Sequence, residues 1–164
     1  METKTSSRRT EGFLSLFDMQ TTFFKRALDG ITEKDAYERL NTKANHIAWL
    51  AGSLVQQRYL MIQETNPGLK STGDELFKDN KGIQDKAEYP TLEEYIKDWE
   101  KVSPMARQAL VAIDDNKLDS QIDMGGMKMT YYELLSFTIF REASIIGQLA
   151  LWRRLLGHPG MRYD

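Results

Sequence analysis

The chain has 164 residues, no cysteine, and a formal net charge of -2 from 22 basic and 24 acidic side chains. That length favours one domain with a core large enough to need no disulfide or structural metal. The missing cysteines exclude a cysteine nucleophile and any thiolate ligand, and fit a reducing cytoplasmic setting; the slightly acidic balance gives no field for nucleic acid or an anionic membrane.

Residues 1–9 are polar, include Arg8 and Arg9, and lack the apolar stretch of a secretory signal. They read as a disordered tail, with a single domain expected over 10–164. The first long helix is predicted from Thr10 to Leu28, with Phe13, Leu16, Phe17, Met19, Phe23, Phe24 and Leu28 as its apolar stripe. Asp29-Gly30 stops it. Thr32-Glu33-Lys34-Asp35 has the form of a capping box and opens a short helix expected to reach Leu40. Asn45 is placed to cap the second long helix, Ile47 to about Glu64, which Asn66-Pro67-Gly68 ends. From Lys70 to Pro90 the chain is polar and dotted with glycine, and Leu76, Phe77, Ile83 and Tyr89 are its expected anchors. So long a connection reads as a crossover strap.

Thr91-Leu92-Glu93-Glu94 is a second capping box, and its helix is predicted to run to about Ala112 with a kink or break near Val102-Ser103, forced by Pro104. Met124-Gly125-Gly126-Met127 is a turn, and residues 127–130 make at most one short extended piece. Thr130-Tyr131-Tyr132-Glu133 opens the last long helix, which ends at Gly157 ahead of Pro159. No stretch alternates as a sustained strand, and none reaches the ~18 consecutive apolar residues of a membrane span. The class read from these elements is all-α.

Steps of three and four residues return to one helix face, so 141, 145, 148, 149 and 152 share a face with Leu134 and Thr138. On the second helix Trp49, Ser53, Leu60 and one of Gln56 or Gln57 share another. Ser53, Arg141 and Ile145 are therefore expected to converge in the interior. An inward arginine has two readings. It binds an anion through its forked donors, or it pairs internally, with Glu142, Asp18 or Gln20 as candidate partners. Gln148 is expected to bond across helices, Gly147 to permit close packing, and Arg153-Arg154 to form a solvated face. Of the two histidines, His46 belongs to the first turn of its helix beside Asn45, and His158 to a helix C-terminus or solvent. No His-Glu-x-x-His pattern and no phosphate-cradling glycine loop occurs.

The run from Phe140 to Gly157 resembles the last helix of the DinB-like family of four-helix-bundle metalloenzymes. That helix has the form His-Glu-x-x-His-x-Gly-Gln, then an apolar stretch with Arg-Arg and a closing Leu-Gly. Glu142, Gly147-Gln148 and Arg153-Arg154-Leu155-Leu156-Gly157 match it, while Arg141 and Ile145 stand at the histidine positions. Arg39 with Asn45-His46-Ile47-Ala48-Trp49-Leu50-Ala51-Gly52 resembles the start of the family's second helix, and Ser53 stands where its first histidine ligand would be. Tyr89-Pro90-Thr91-Leu92-Glu93-Glu94 and Asp115 to Leu118 resemble two further family segments.

The resemblance implies a four-helix bundle with a long crossover between its second and third helices. It also implies a divalent metal such as nickel, zinc or iron, used in thiol-dependent transferase, isomerase or hydrolase-like chemistry. Serine is a poor ligand, isoleucine is none, and arginine is a permanent cation, so no metal or other cofactor is expected here. The resulting expectation is a non-catalytic binding or regulatory protein. Its pocket, formed by Ser53, Arg141 and Ile145 and flanked by Trp49, Gln57 and Gln148, would take a small anionic molecule. Two alternatives stay open: an enzyme of that superfamily drawing its metal through other residues, or a homodimerisation module anchored by Trp152 or Phe140. No nucleic-acid or membrane partner is expected.

Overall fold

The computed structural model describes residues 5–164. Its four long helices are α1 (Glu11–Leu28), α3 (Ile47–Met61), α5 (Leu92–Ala112) and α7 (Tyr131–Leu155). Three short ones, α2 (Glu33–Ala36), α4 (Asp74–Phe77) and α6 (Asp115–Asp119), lie between them. Strands β1 (Gln121–Asp123) and β2 (Lys128–Thr130) form an antiparallel hairpin, with Ile122 paired to Met129. The class is all-α with this one small sheet.

Both α1 and α3 pack against α5 and α7, and the core lies among the four. Phe24 stacks on Trp99 at 4.1 Å between ring centres, joining α1 to α5. Leu50, Leu54, Tyr95 and Leu149 fill the space around them. Helix α3 is covered on nearly every side: Ile47, Ala48, Leu50 to Val55, Arg58 and Tyr59 are all buried. An all-round apolar helix is the signature of such a position. Helix α7 is, among the described residues, long and apolar enough by length and composition to cross a membrane. Arg141 and Glu142 sit at its middle.

Local chemistry sets the helix starts. Thr91–Glu94 and Thr130–Glu133 both form complete capping boxes, and Thr32 accepts from the Asp35 amide. The start of α3 differs from expectation. His46, not Asn45, is its cap, with Nδ1 accepting from the Trp49 amide at 3.1 Å. Helix α2 stops at Ala36 rather than Leu40, because Leu40 and Asn41 turn into the left-handed region at φ 47° and 57°. Helix α5 runs unbroken through Pro104, which lies on its exposed side where water reaches the carbonyl that proline cannot pair.

The stripe expected on α1 is partly displaced: Leu14 and Gln20 are buried, while Leu16 and Met19 face outward. The glycine pair between the strands supplies the turn, at φ 70° for Gly125 and 96° for Gly126. Residues 127–130, expected as one extended piece, belong to the hairpin.

Residues 5–9 were expected as part of a disordered tail, and they pack instead. The Ser6 amide donates to the Val111 carbonyl at 2.9 Å, Ser7 Oγ donates to Asp115 at 2.6 Å, and Arg9 pairs with Asp119. Docking against the end of α5 and against α6 gives these polar groups partners that the sequence cannot display. Residues 1–4 of that expected tail lie outside the described residues.

The strap from α3 to α5 is fastened by polar bonds as well as by Leu76, Phe77 and Tyr89. Gln56 donates to Asp74 and accepts from Ser71, and Asp98 accepts from the Thr72 amide and the Tyr59 hydroxyl. Ile83 is only half-buried.

Candidate functional site

The site is built where α3 faces α7. Ser53, Gln57 and Arg58 come from successive turns of α3, and Thr138, Arg141 and Glu142 from one stretch of α7. Arg141 donates to Ser53 Oγ and, at 2.7 Å, to Gln57 Oε1. Gln57 Nε2 in turn donates to the Thr138 carbonyl at 3.1 Å and approaches Glu142 Oε2 at 3.4 Å. Glu142 accepts from Arg58 through both of its oxygens. Arg58 also donates to Thr21 Oγ1 at 2.7 Å and Ser103 Oγ at 2.6 Å. One hydrogen-bonded chain thus runs from Ser53 and Arg141 into the core.

The inner half of this chain is a fully buried ion pair. Arg58 and Glu142 are both 0 % exposed, and the guanidinium lies 3.5 Å from the Trp99 ring centre and 3.9 Å from that of Phe17. Forked donors on both carboxylate oxygens, with Thr21 and Ser103 taking a further N–H, satisfy the pair. Burial pushes the Glu142 carboxyl above its usual range, while Arg58, Gln57 and Arg141 pull it back. Arg58 had not been singled out from the sequence. Its one signal was a cation flanked by Leu54, Val55 and Tyr59 on a helix apolar on every face.

The outer half opens into a cleft of about 530 Å³, lined by Trp49, Ser53, Gln57, Phe77, Leu134 and Arg141 among others. Arg141 is partly exposed and has no carboxylate partner among the described residues, since Glu142 is committed to Arg58. Burial lowers its pKa from the usual arginine value, but arginine stays charged. Trp49 Nε1 is buried without a hydrogen-bond partner among the described residues. A smaller cavity of about 350 Å³ lies on the other side of Arg141, against Trp49, Phe137, Phe140, Ile145 and Gln148.

The structure therefore brings Ser53, Gln57 and Arg141 together beside Trp49. Ile145 is buried one turn further along and reaches only the smaller cavity. Asp18 and Gln20 do not serve Arg141: Asp18 pairs with Arg107, and Gln20 donates to the Ile139 carbonyl.

Several neighbouring expectations are corrected. Gln148 is exposed, with no cross-helix bond among the described residues. Gly147 is open, since a Cβ there would meet nothing within 4 Å, and the close-packed glycine is Gly52. Arg153 is buried rather than solvated. It donates to the Ala27, Asp29 and Pro159 carbonyls at 3.0, 2.7 and 2.8 Å, closing the C-terminus of α1. Trp152 is also buried, donating to the Asn45 carbonyl, so it is no free anchor. His158 does meet a helix end through its backbone, its amide donating to the Arg153 carbonyl at 2.8 Å, while its ring meets Asp35 at 3.0 Å.

The donor set does not fit a divalent metal. It offers a hydroxyl, an amide and an alkyl group around a fixed cation, where a metal wants imidazole or carboxylate. What the arrangement suits is an anion, held by the guanidinium donors that Ser53 and Gln57 leave unused. Compared with known proteins, the sequence matches no family model and no curated protein.

Proposed function

We propose that the chain is a DinB-like four-helix bundle with a degenerate metal site, acting as a binding or regulatory protein for a small organic anion. The observation that carries this reading is Arg141, a cation set in a largely apolar cleft without an acidic partner among the described residues. A buried or half-buried charge needs a partner, and Ser53 and Gln57 are neutral. Their oxygens hold the guanidinium in place and leave it positive. The cleft's volume lies within the roughly 300–1,000 Å³ of small-molecule sites. Its apolar walls ask for a ligand with a hydrocarbon or aromatic body next to its carboxylate, phosphate or sulfonate.

The test is calorimetry with short carboxylates bearing such a body, on wild type and Arg141→Ala. Losing charge-assisted hydrogen bonds of about 1.5–3 kcal/mol, the variant is expected to bind roughly ten- to a hundredfold more weakly. Equal affinities, or no binding to wild type, would sink the reading. So would stoichiometric nickel, zinc or iron in protein purified without added metal.

A further inference from the structure

The outward face of α7 has no neighbour among the described residues. Phe137, Phe140, Leu151 and Leu155 are 59, 69, 56 and 55 % exposed. Their spacing puts them on one face with Glu133 and Arg154, which stand roughly 30 Å apart along the helix. Between the apolar ends lie Ala143, Ser144 and Gly147, all small and exposed. Nothing in the chain's own packing asks for a glycine at 147, because a side chain there would point into open space.

We infer that this face is where two copies of the chain meet, α7 against α7, antiparallel about a two-fold axis beside Ser144. Charge selects the occupant. The face carries an acid at its N-terminal end and a base at its C-terminal end. A parallel copy would set like against like, whereas an antiparallel copy sets Glu133 against the partner subunit's Arg154 twice over. Arg154 has no acid partner among the described residues, and Glu133 spends only Oε2 on its capping box.

That one register fixes the rest of the contact. Facing residue numbers keep a constant sum, so Phe140 falls opposite the partner subunit's Gly147, and Ala143 opposite the partner subunit's Ser144. The most exposed ring on the stripe then meets the one position with no side chain, and small residues occupy the crossing point where the helices come closest. The smaller cavity beside Arg141 opens on this face, between Phe137, Phe140 and Gln148, so the second copy would cover its mouth. The inference stands apart from the anion reading and would survive its failure.

Sedimentation equilibrium on the full chain is expected to give twice the 19.0 kDa chain mass. Gly147→Leu should fold with an unchanged circular-dichroism spectrum, yet weaken association by roughly tenfold or more, because leucine fills the place of the facing ring. The chain has no cysteine of its own. Ser144→Cys should therefore cross-link between copies under mild oxidation, while Met19→Cys, also exposed but on α1, should not. A monomer at every concentration would overturn the inference, including one that sediments with lipid vesicles through α7. A dimer that is indifferent to Gly147→Leu and leaves Ser144→Cys uncross-linked would overturn it too.

Discussion

A methyl group built on Gly52 would lie 2.3 Å from the Tyr95 hydroxyl oxygen and 2.7 Å from the edge of Phe77. Tyr95 is fully buried, its hydroxyl pKa pushed up by that burial, and the ring has nowhere to retreat. Gly52→Ala is expected to cost about 1–3 kcal/mol of strain, outweighing the ~1 kcal/mol that alanine contributes to a helix. Gly147→Ala should instead gain about 0.5–1 kcal/mol in the dissociated chain, where no atom of the described residues opposes it, so the comparison is made below the concentration at which copies associate. Urea denaturation of the two variants separates them by sign, and a loss at both positions would contradict the geometry. The sequence points to close packing at Gly147 and to no role for Gly52, whereas the close approach occurs at Gly52. A helical glycine announces a small side chain but not what stands across from it, and here Tyr95 lies 43 residues beyond Gly52 in one case and open space in the other.

Between elements, the strongest polar link is the Arg58–Glu142 pair joining α3 to α7. Glu142→Ala leaves the guanidinium buried and unpaired, a loss expected near 3–5 kcal/mol, or about a fifth or more of a typical domain's stability. Replacing both partners, Arg58→Met with Glu142→Leu, should recover most of it. Chemical denaturation of the single and double variants checks the pair, and a double variant no better than the single would refute the coupling. The helices were legible because their starts depend on residues close in sequence, as Thr91 with Glu94 and Thr130 with Glu133 show. The ion pair was not, since it depends on two turns 84 residues apart arriving face to face. Arg141 lay between these cases: helical spacing turned it inward toward Ser53 and Gln57, but that it bonds them rather than Glu142, Asp18 or Gln20 needed the register of α3 against α7. Arg153 misled for the same reason, because the carbonyls it closes belong to α1.

For the molecule as a whole, the helical class followed from composition and period, whereas the packing of residues 5–9 against α5 and α6 had no local signal at all. Acid sensitivity belongs to this scale, because His46 joins three segments. It caps α3, and its ring sits 5.1 Å from that of Tyr37 and 5.2 Å from that of Tyr89. Burial, with Arg39 nearby, lowers its pKa below the ordinary histidine value. A lowered folded pKa means that the unfolded chain takes the proton more readily. Stability is then full above about pH 6.5 and falls as pH drops through the folded value. His46→Asn keeps a capping acceptor and should flatten that part of the thermal-melt profile against pH; an unchanged slope would assign the acid loss to other groups. Gln57 has a consequence of a different kind. A primary amide has one accepting and one donating end, and here the first faces Arg141 while the second faces Thr138 and Glu142. The side chain works as a polarised link. If the proposed anion draws Arg141 away from Gln57, the amide is freed to rotate and its 3.4 Å contact with Glu142 loosens, which would couple the cleft to the interior ion pair.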